Sequence, residues 1–100
     1  MQSIEPTVLK DKMSKGENLL LIDVREPFEH ETFNIGGILI PMNELMERLD
    51  EIPADKPVIL YCQKGIRSVI AIQRLQQRGK YNNLINLSGG MDNWIKELRK

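Results

Sequence analysis

Pro57-Val58-Ile59-Leu60-Tyr61-Cys62-Gln63-Lys64-Gly65-Ile66-Arg67-Ser68 is the stretch on which the reading of this chain turns. It opens on proline and runs through β-branched and aromatic residues without polar alternation, as a strand covered on both faces does. It then breaks into polar residues around a single glycine. From Arg67 to Arg78, Val69, Ile70, Ile72 and Leu75 recur near one side of a helix, and Gly79 stops it. The cysteine therefore stands where a buried strand gives way to a tight loop and a helix.

The flanking sequence repeats the pattern. Leu19-Leu20-Leu21-Ile22-Asp23-Val24 and Leu84-Ile85-Asn86-Leu87 read as further covered strands, Ile38-Leu39-Ile40 before Pro41 as a shorter one, and Ser3-Ile4 as a small edge strand. Helical patterns lie between them. Pro6 to Lys15 has proline at its first position and Gly16 after its end. Asn43 to Leu49 has Asn43 as candidate N-cap, and Met91 to Leu98 spaces Met91, Trp94, Ile95 and Leu98 on one face. Strands alternating with short helices predict an α/β fold, a mostly parallel sheet with helices on both faces. One hundred residues are the size of one compact domain, taken as residues 1–100. Sites in such sheets form at the carboxyl ends of strands, which singles out the turns after Val24 and Tyr61.

Composition narrows the function. Lys plus Arg and Asp plus Glu balance at 14 each, so no global field draws the chain to nucleic acid or an anionic membrane. No apolar run is long enough to span a bilayer, and the first residues lack the features of a signal peptide. A soluble, cytoplasmic protein is expected. The single cysteine excludes an internal disulfide and a Cys-rich metal site, leaving a packed core residue or a reactive thiol.

The loop favours the reactive thiol. Backbone N–H groups turned inward at a helix N-terminus form an anion cradle, and Lys64 and Arg67 add positive charge. Such surroundings favour a thiolate, the nucleophilic form of cysteine, and would also stabilise a persulfide or an incoming oxyanion. Cys62 is accordingly the candidate nucleophile, with Gln63, Lys64, Gly65, Ile66 and Arg67 as the binding cradle. Four residues separate Cys62 from Arg67, a tighter ring than phosphate-hydrolysing cysteine loops use.

Four segments in order give the chain a family resemblance. Leu21-Ile22-Asp23-Val24-Arg25-Glu26-Pro27-Phe28-Glu29, Asn34-Ile35-Gly36-Gly37-Ile38-Leu39-Ile40-Pro41, the loop Cys62 to Ser68, and Leu87-Ser88-Gly89-Gly90-Met91-Asp92-Asn93-Trp94 resemble the signatures of rhodanese-like sulfurtransferases. The resemblance implies a five-stranded parallel sheet flanked by helices. It implies a ping-pong cycle in which Cys62 takes the outer sulfur of a donor such as thiosulfate, holds it as a persulfide, and passes it to a thiol, to cyanide or to a sulfur-accepting protein. It implies no metal or organic cofactor. Two positions depart from the pattern: Gln63 follows the cysteine where arginine is frequent, and Asn34 stands where histidine is frequent.

The remaining residues have blander readings. Asp23 and Arg25 are expected to form a structural ion pair, with Ser68 as further support for the loop. His30, in Glu29-His30-Glu31-Thr32, reads as part of a solvated helix face. Trp94, Met42, Met46 and Met91 read as packing, and Lys96 to Lys100 as an exposed helix end. Two rivals to sulfur transfer stay open: a regulatory binding module that delivers or senses sulfur for a partner, and phosphatase or arsenate-reductase chemistry.

Overall fold

The computed structural model describes residues 1–98, so Arg99 and Lys100 of the expected exposed helix end lie outside the described residues. Five strands, β1 (Gln2–Ile4), β2 (Leu20–Asp23), β3 (Ile38–Leu39), β4 (Val58–Tyr61) and β5 (Leu84–Leu87), form one sheet in the order β1-β5-β4-β2-β3. Every pairing is parallel. Among the described residues, α1 (Pro6–Ser14), α2 (Pro27–Thr32) and α3 (Ile66–Gln76) lie between strands, and α4 (Gly90–Leu98) follows β5.

Side chains alternate across the pleat, so the central strands β2, β4 and β5 each supply two cores. Leu21, Ile59, Tyr61 and Leu87 point to one face, where Leu9 of α1 and Met91 and Trp94 of α4 cover them. Ile22, Val24, Val58, Leu60, Cys62 and Leu84 point to the other, beneath Ala71, Ile72 and Leu75 of α3 and Leu45. This is why the central strands read as continuous apolar runs. Cys62 belongs to the α3 face, and that face is what aims its sulfur at the start of α3.

Local differences from the expected elements have physical causes. The buried side of α3 is Ser68, Ala71, Ile72 and Leu75, a spacing of three, four and seven, while Ile70 is exposed. The segment expected as a helix from Asn43 is instead two 3-10 turns, Met42–Glu47 and Leu49–Glu51. The Met42 N–H is held by the Val24 carbonyl at 3.1 Å, so the first turn starts directly after Pro41, and Asn43 does not cap it. Met46 is 40% exposed, against its reading as packing, whereas Met91 is fully buried.

The strand order places the site. β4 lies between β2 and β5, so the turn after Asp23 and the turn after Leu87 flank the end of β4, where Cys62 begins the loop. Crevices at the carboxyl edge of parallel sheets bind ligands because helix N-termini converge there.

Candidate active site

Cys62 is 1% exposed, and its sulfur is ringed by donors from the following loop. The Gly65 N–H donates to Sγ at 3.1 Å and the Ser68 N–H at 3.4 Å. The Ser68 hydroxyl lies 3.4 Å from Sγ and also donates to Asn86 Oδ1 on β5. Gly65 caps α3 with φ of 86°, a left-handed conformation that L side chains resist, and this turn swings its amide onto the sulfur. Backbone dipoles fixed on one atom favour negative charge there without reorganisation.

The carbonyl side of the loop is tied down from α4. Met91 and Asp92 donate their N–H groups to the carbonyls of Cys62 and Gln63, both at 2.9 Å. With the carbonyls drawn outward, the loop amides are free to face inward. The close approach depends on Gly90, whose φ is 62°; a Cβ there would overlap the Cys62 carbonyl oxygen and sit 2.7 Å from the Gln63 carbonyl. Gly90→Ala is therefore expected to destabilise the protein by about 2–4 kcal/mol, combining left-handed strain with overpacking. Urea unfolding checks this, and a change below ~1 kcal/mol would contradict the packing of α4 on the loop.

Asp23 and Arg25 form the expected ion pair, both buried. Arg25 donates Nε and Nη2 to the carboxylate at 2.9 and 2.8 Å, and Nη2 also donates to the Phe33 carbonyl at 2.6 Å. Burial opposes the Arg25 charge, but the hydrogen bond and charge of Asp23 outweigh it, so Arg25 is held more firmly protonated than usual. The guanidinium also lies 5.8 Å from the Tyr61 ring centroid. Burial pushes the Tyr61 phenol up to about 12, so it stays neutral.

Gln63 differs from its expected role. Its Oε1 accepts from Arg25 Nη1 at 2.8 Å, and its Nε2 donates to Asp92 Oδ1 at 2.6 Å. The side chain is thus a strut between β2 and α4, although the residue still lines the pocket over Cys62. His30 also departs from its solvated reading. It is half-buried, and Nδ1 lies 2.9 Å from Asp23 Oδ2, because the turn after β2 folds α2 back over the strand end. Asn34, where the resemblance pattern has histidine, donates to the His30 carbonyl and accepts the Gly36 N–H, fixing the turn before β3.

Glu29 was given no role by the sequence reading and is central here. Its two oxygens accept from Arg67 Nη1 and Nη2, each at 2.8 Å. It also closes a capping box on α2, where its Oε1 accepts the Glu26 N–H at 3.0 Å. The pattern Glu26-Pro27-Phe28-Glu29 carries that capping signal in sequence; the ion pair to Arg67 carries none, because the partners lie 38 positions apart. The Arg67 hydrogen bonds, against the opposing effect of burial, hold the Glu29 carboxyl down at about 2. A folded-state value below the ordinary 4.5 means that its contribution to stability is complete above pH ~4.5 and lost as pH falls toward 2. Glu29→Gln is expected to flatten that part of the acid dependence, read as urea midpoint against pH. An unchanged slope between pH ~4.5 and ~2 would contradict the pairing.

These residues enclose a pocket of about 400 Å³ lined by Glu29, Cys62, Gln63, Lys64, Ile66 and Arg67. Cys62, the loop from Gln63 to Arg67 and Ser68 are brought together, while Asp23 and Arg25 support the loop from behind. Lys64 is exposed and Ile66 is 65% exposed at the rim. Among the described residues, no group of three or more His, Cys, Asp or Glu side chains is placed to hold a metal ion. No helix among them is long and apolar enough to cross a membrane.

Fold and site together define an α/β domain built around one cysteine held in a backbone cradle at the carboxyl edge of a parallel sheet. The chain belongs to the rhodanese-like domain family, whose model matches residues 5–97. It is similar to the protein named sulfurtransferase of Allochromatium vinosum, at 35% identity over 97 residues, 96% of this chain and 90% of that protein. It is equally similar to the probable adenylyltransferase/sulfurtransferase MoeZ of Mycobacterium tuberculosis, at 35% identity over 100 residues. That match covers 97% of this chain but 25% of MoeZ, so the chain spans a quarter of that relative's length. Among solved structures, a rhodanese-related protein from Thermoplasma volcanium superposes with a TM-score of 0.85 at 33% identity, covering 98% of this chain and 94% of that one.

Proposed function

We propose that this chain is a sulfurtransferase that carries sulfane sulfur as a persulfide on Cys62. The observation that carries the reading is the pair of backbone N–H donors on Sγ, with the Ser68 hydroxyl oxygen 3.4 Å away, at the floor of an open pocket. In the first half-reaction the Cys62 thiolate attacks the outer sulfur of a donor such as thiosulfate. The Sγ–S bond forms, the donor's S–S bond breaks, and the electron pair leaves with sulfite. In the second half-reaction a thiolate or cyanide attacks the outer persulfide sulfur and the Cys62 thiolate departs. Charge resides on the sulfur next to the cradle at both stages, which is where fixed N–H dipoles are most effective.

Sulfur transfer agrees with the names of the Allochromatium vinosum and Mycobacterium tuberculosis relatives. With one cysteine, the chain has no second thiol to resolve its own persulfide, so the sulfur goes to another molecule, a small thiol or an accepting protein. A reducing compartment such as the cytoplasm suits a free thiol of this kind. The test is turnover: thiocyanate formation from cyanide with thiosulfate and, separately, with inorganic polysulfide. Catalysis with at least one donor is the expected result; none with these two or with an organic persulfide would leave the regulatory binding module as the reading.

A further inference from the structure

The pocket over Cys62 contains three charged side chains, and their arrangement bears on which donor it accepts. Arg67 is one of the two loop cations assigned to anion attraction, yet each of its terminal nitrogens donates to Glu29 at 2.8 Å. Glu29 is 17% exposed and itself lines the pocket. Its carboxyl, held at about 2, is anionic throughout the physiological range. Lys64 is left as the pocket cation without an ion pair among the described residues. Glu29, Lys64 and Arg67 together carry one net positive charge. Arg25, next to the pocket, is already paired with Asp23.

Glu29 and Gln63 are also shared with a second hollow of about 260 Å³, whose other lining includes Phe28, Phe33, Met91 and Ile95. Phe28 is 69% exposed and Phe33 40%. The two hollows adjoin at the shared residues, and the one over Cys62 falls in the size range of small-molecule sites. One end offers Lys64 and the Glu29-paired Arg67 beside the nucleophile; the other, with the Asp23-paired Arg25 and Thr32 at its wall, offers apolar and aromatic surface.

Resting on the persulfide-carrier reading, we infer that Glu29 is a specificity-determining residue that selects organic persulfides over dianionic oxoanion donors such as thiosulfate. Thiosulfate would bring both of its negative charges to the reacting end, against a carboxylate that already satisfies Arg67. An organic persulfide, R–S–SH, presents at most one negative charge for Lys64, and its R group lies along Phe28 and Phe33. The transfer balances without an external oxidant. The Cys62 thiolate attacks the terminal sulfur, the Sγ–S bond forms, and the sulfur–sulfur bond of RS–SH breaks. The thiolate RS⁻ leaves with the electron pair, and the proton stays on the transferred sulfur.

The experiment is the rate of Cys62 persulfide formation, followed by intact mass, with thiosulfate and with benzyl persulfide generated in situ. The quantity read is the ratio of the thiosulfate rate to the persulfide rate. Glu29→Gln is expected to raise that ratio about tenfold or more by removing a unit charge beside a dianion. Phe28→Ser, at an exposed position that the fold does not depend on, is expected to raise it about three- to tenfold through loss of apolar contact with the benzyl group. General loosening of the loop slows both donors alike, so an unchanged ratio in both folded variants would overturn the inference. Failure of both donors to load wild-type Cys62 would instead overturn the carrier reading on which it rests.

Discussion

Cys62→Ser is expected to abolish sulfur transfer while leaving the fold intact. The replacement removes the nucleophilic thiol, and a serine hydroxyl in the same place has no comparable anion available at neutral pH. The expected fall in thiocyanate formation is ~10³-fold or more, to the uncatalysed background. The fold is expected to survive because the serine oxygen accepts the same Gly65 and Ser68 N–H groups that now point at Sγ. The change in unfolding free energy should stay within about 1–2 kcal/mol. Steady-state turnover beside a urea melt separates the two effects. Residual turnover at a tenth of wild type or more would mean that the sulfur is carried elsewhere.

Asp23→Ala has the largest expected effect on stability. Asp23 is fully buried and accepts from the Arg25 backbone N–H at 3.0 Å, from the Arg25 guanidinium, and pairs with His30 at 2.9 Å. Its removal leaves Arg25, 2% exposed, with only the Phe33 carbonyl and Gln63 as partners. Breaking a buried pair from one side costs about 3–5 kcal/mol, because the stranded charge has lost its water and gained nothing in return. Against a total of roughly 5–15 kcal/mol for a domain of this size, that places the variant near the threshold of folding. The damage should reach the site as well, since the Arg25–Gln63–Asp92 chain links β2 to α4 across the loop. Urea unfolding checks the prediction; a loss below ~1 kcal/mol would mean that Arg25 is solvated in solution.

Sequence and structure agree where burial alone sets the pattern. Val58 to Tyr61 and Leu84 to Leu87 are covered on both faces, so their apolar character needed no partner to be read. The parallel architecture followed from the alternation of such runs with helices, and the short α1 and α4 began within a residue or two of where their spacing put them. The Asp23–Arg25 pair was legible because the two residues are neighbours at a strand end. What sequence could not carry were contacts between distant residues. Glu29 meets Arg67, Gln63 meets Asp92, and His30 turns back on Asp23 only because the strand order brings three turns to one edge. Gln63, beside the cysteine, invited a substrate-binding role; its side chain is instead spent on the frame. The 3-10 turns from Met42 to Glu51 were missed for a related reason, as a tertiary bond from Met42 to Val24 sets where they begin.

The most direct test of the central claim is the intact mass of the protein after incubation with a sulfane-sulfur donor, before and after adding cyanide. A gain of one sulfur atom, about 32 Da, is expected that maps to Cys62, is absent in Cys62→Ser, and disappears with cyanide. No gain with thiosulfate, inorganic polysulfide or an organic persulfide would contradict it.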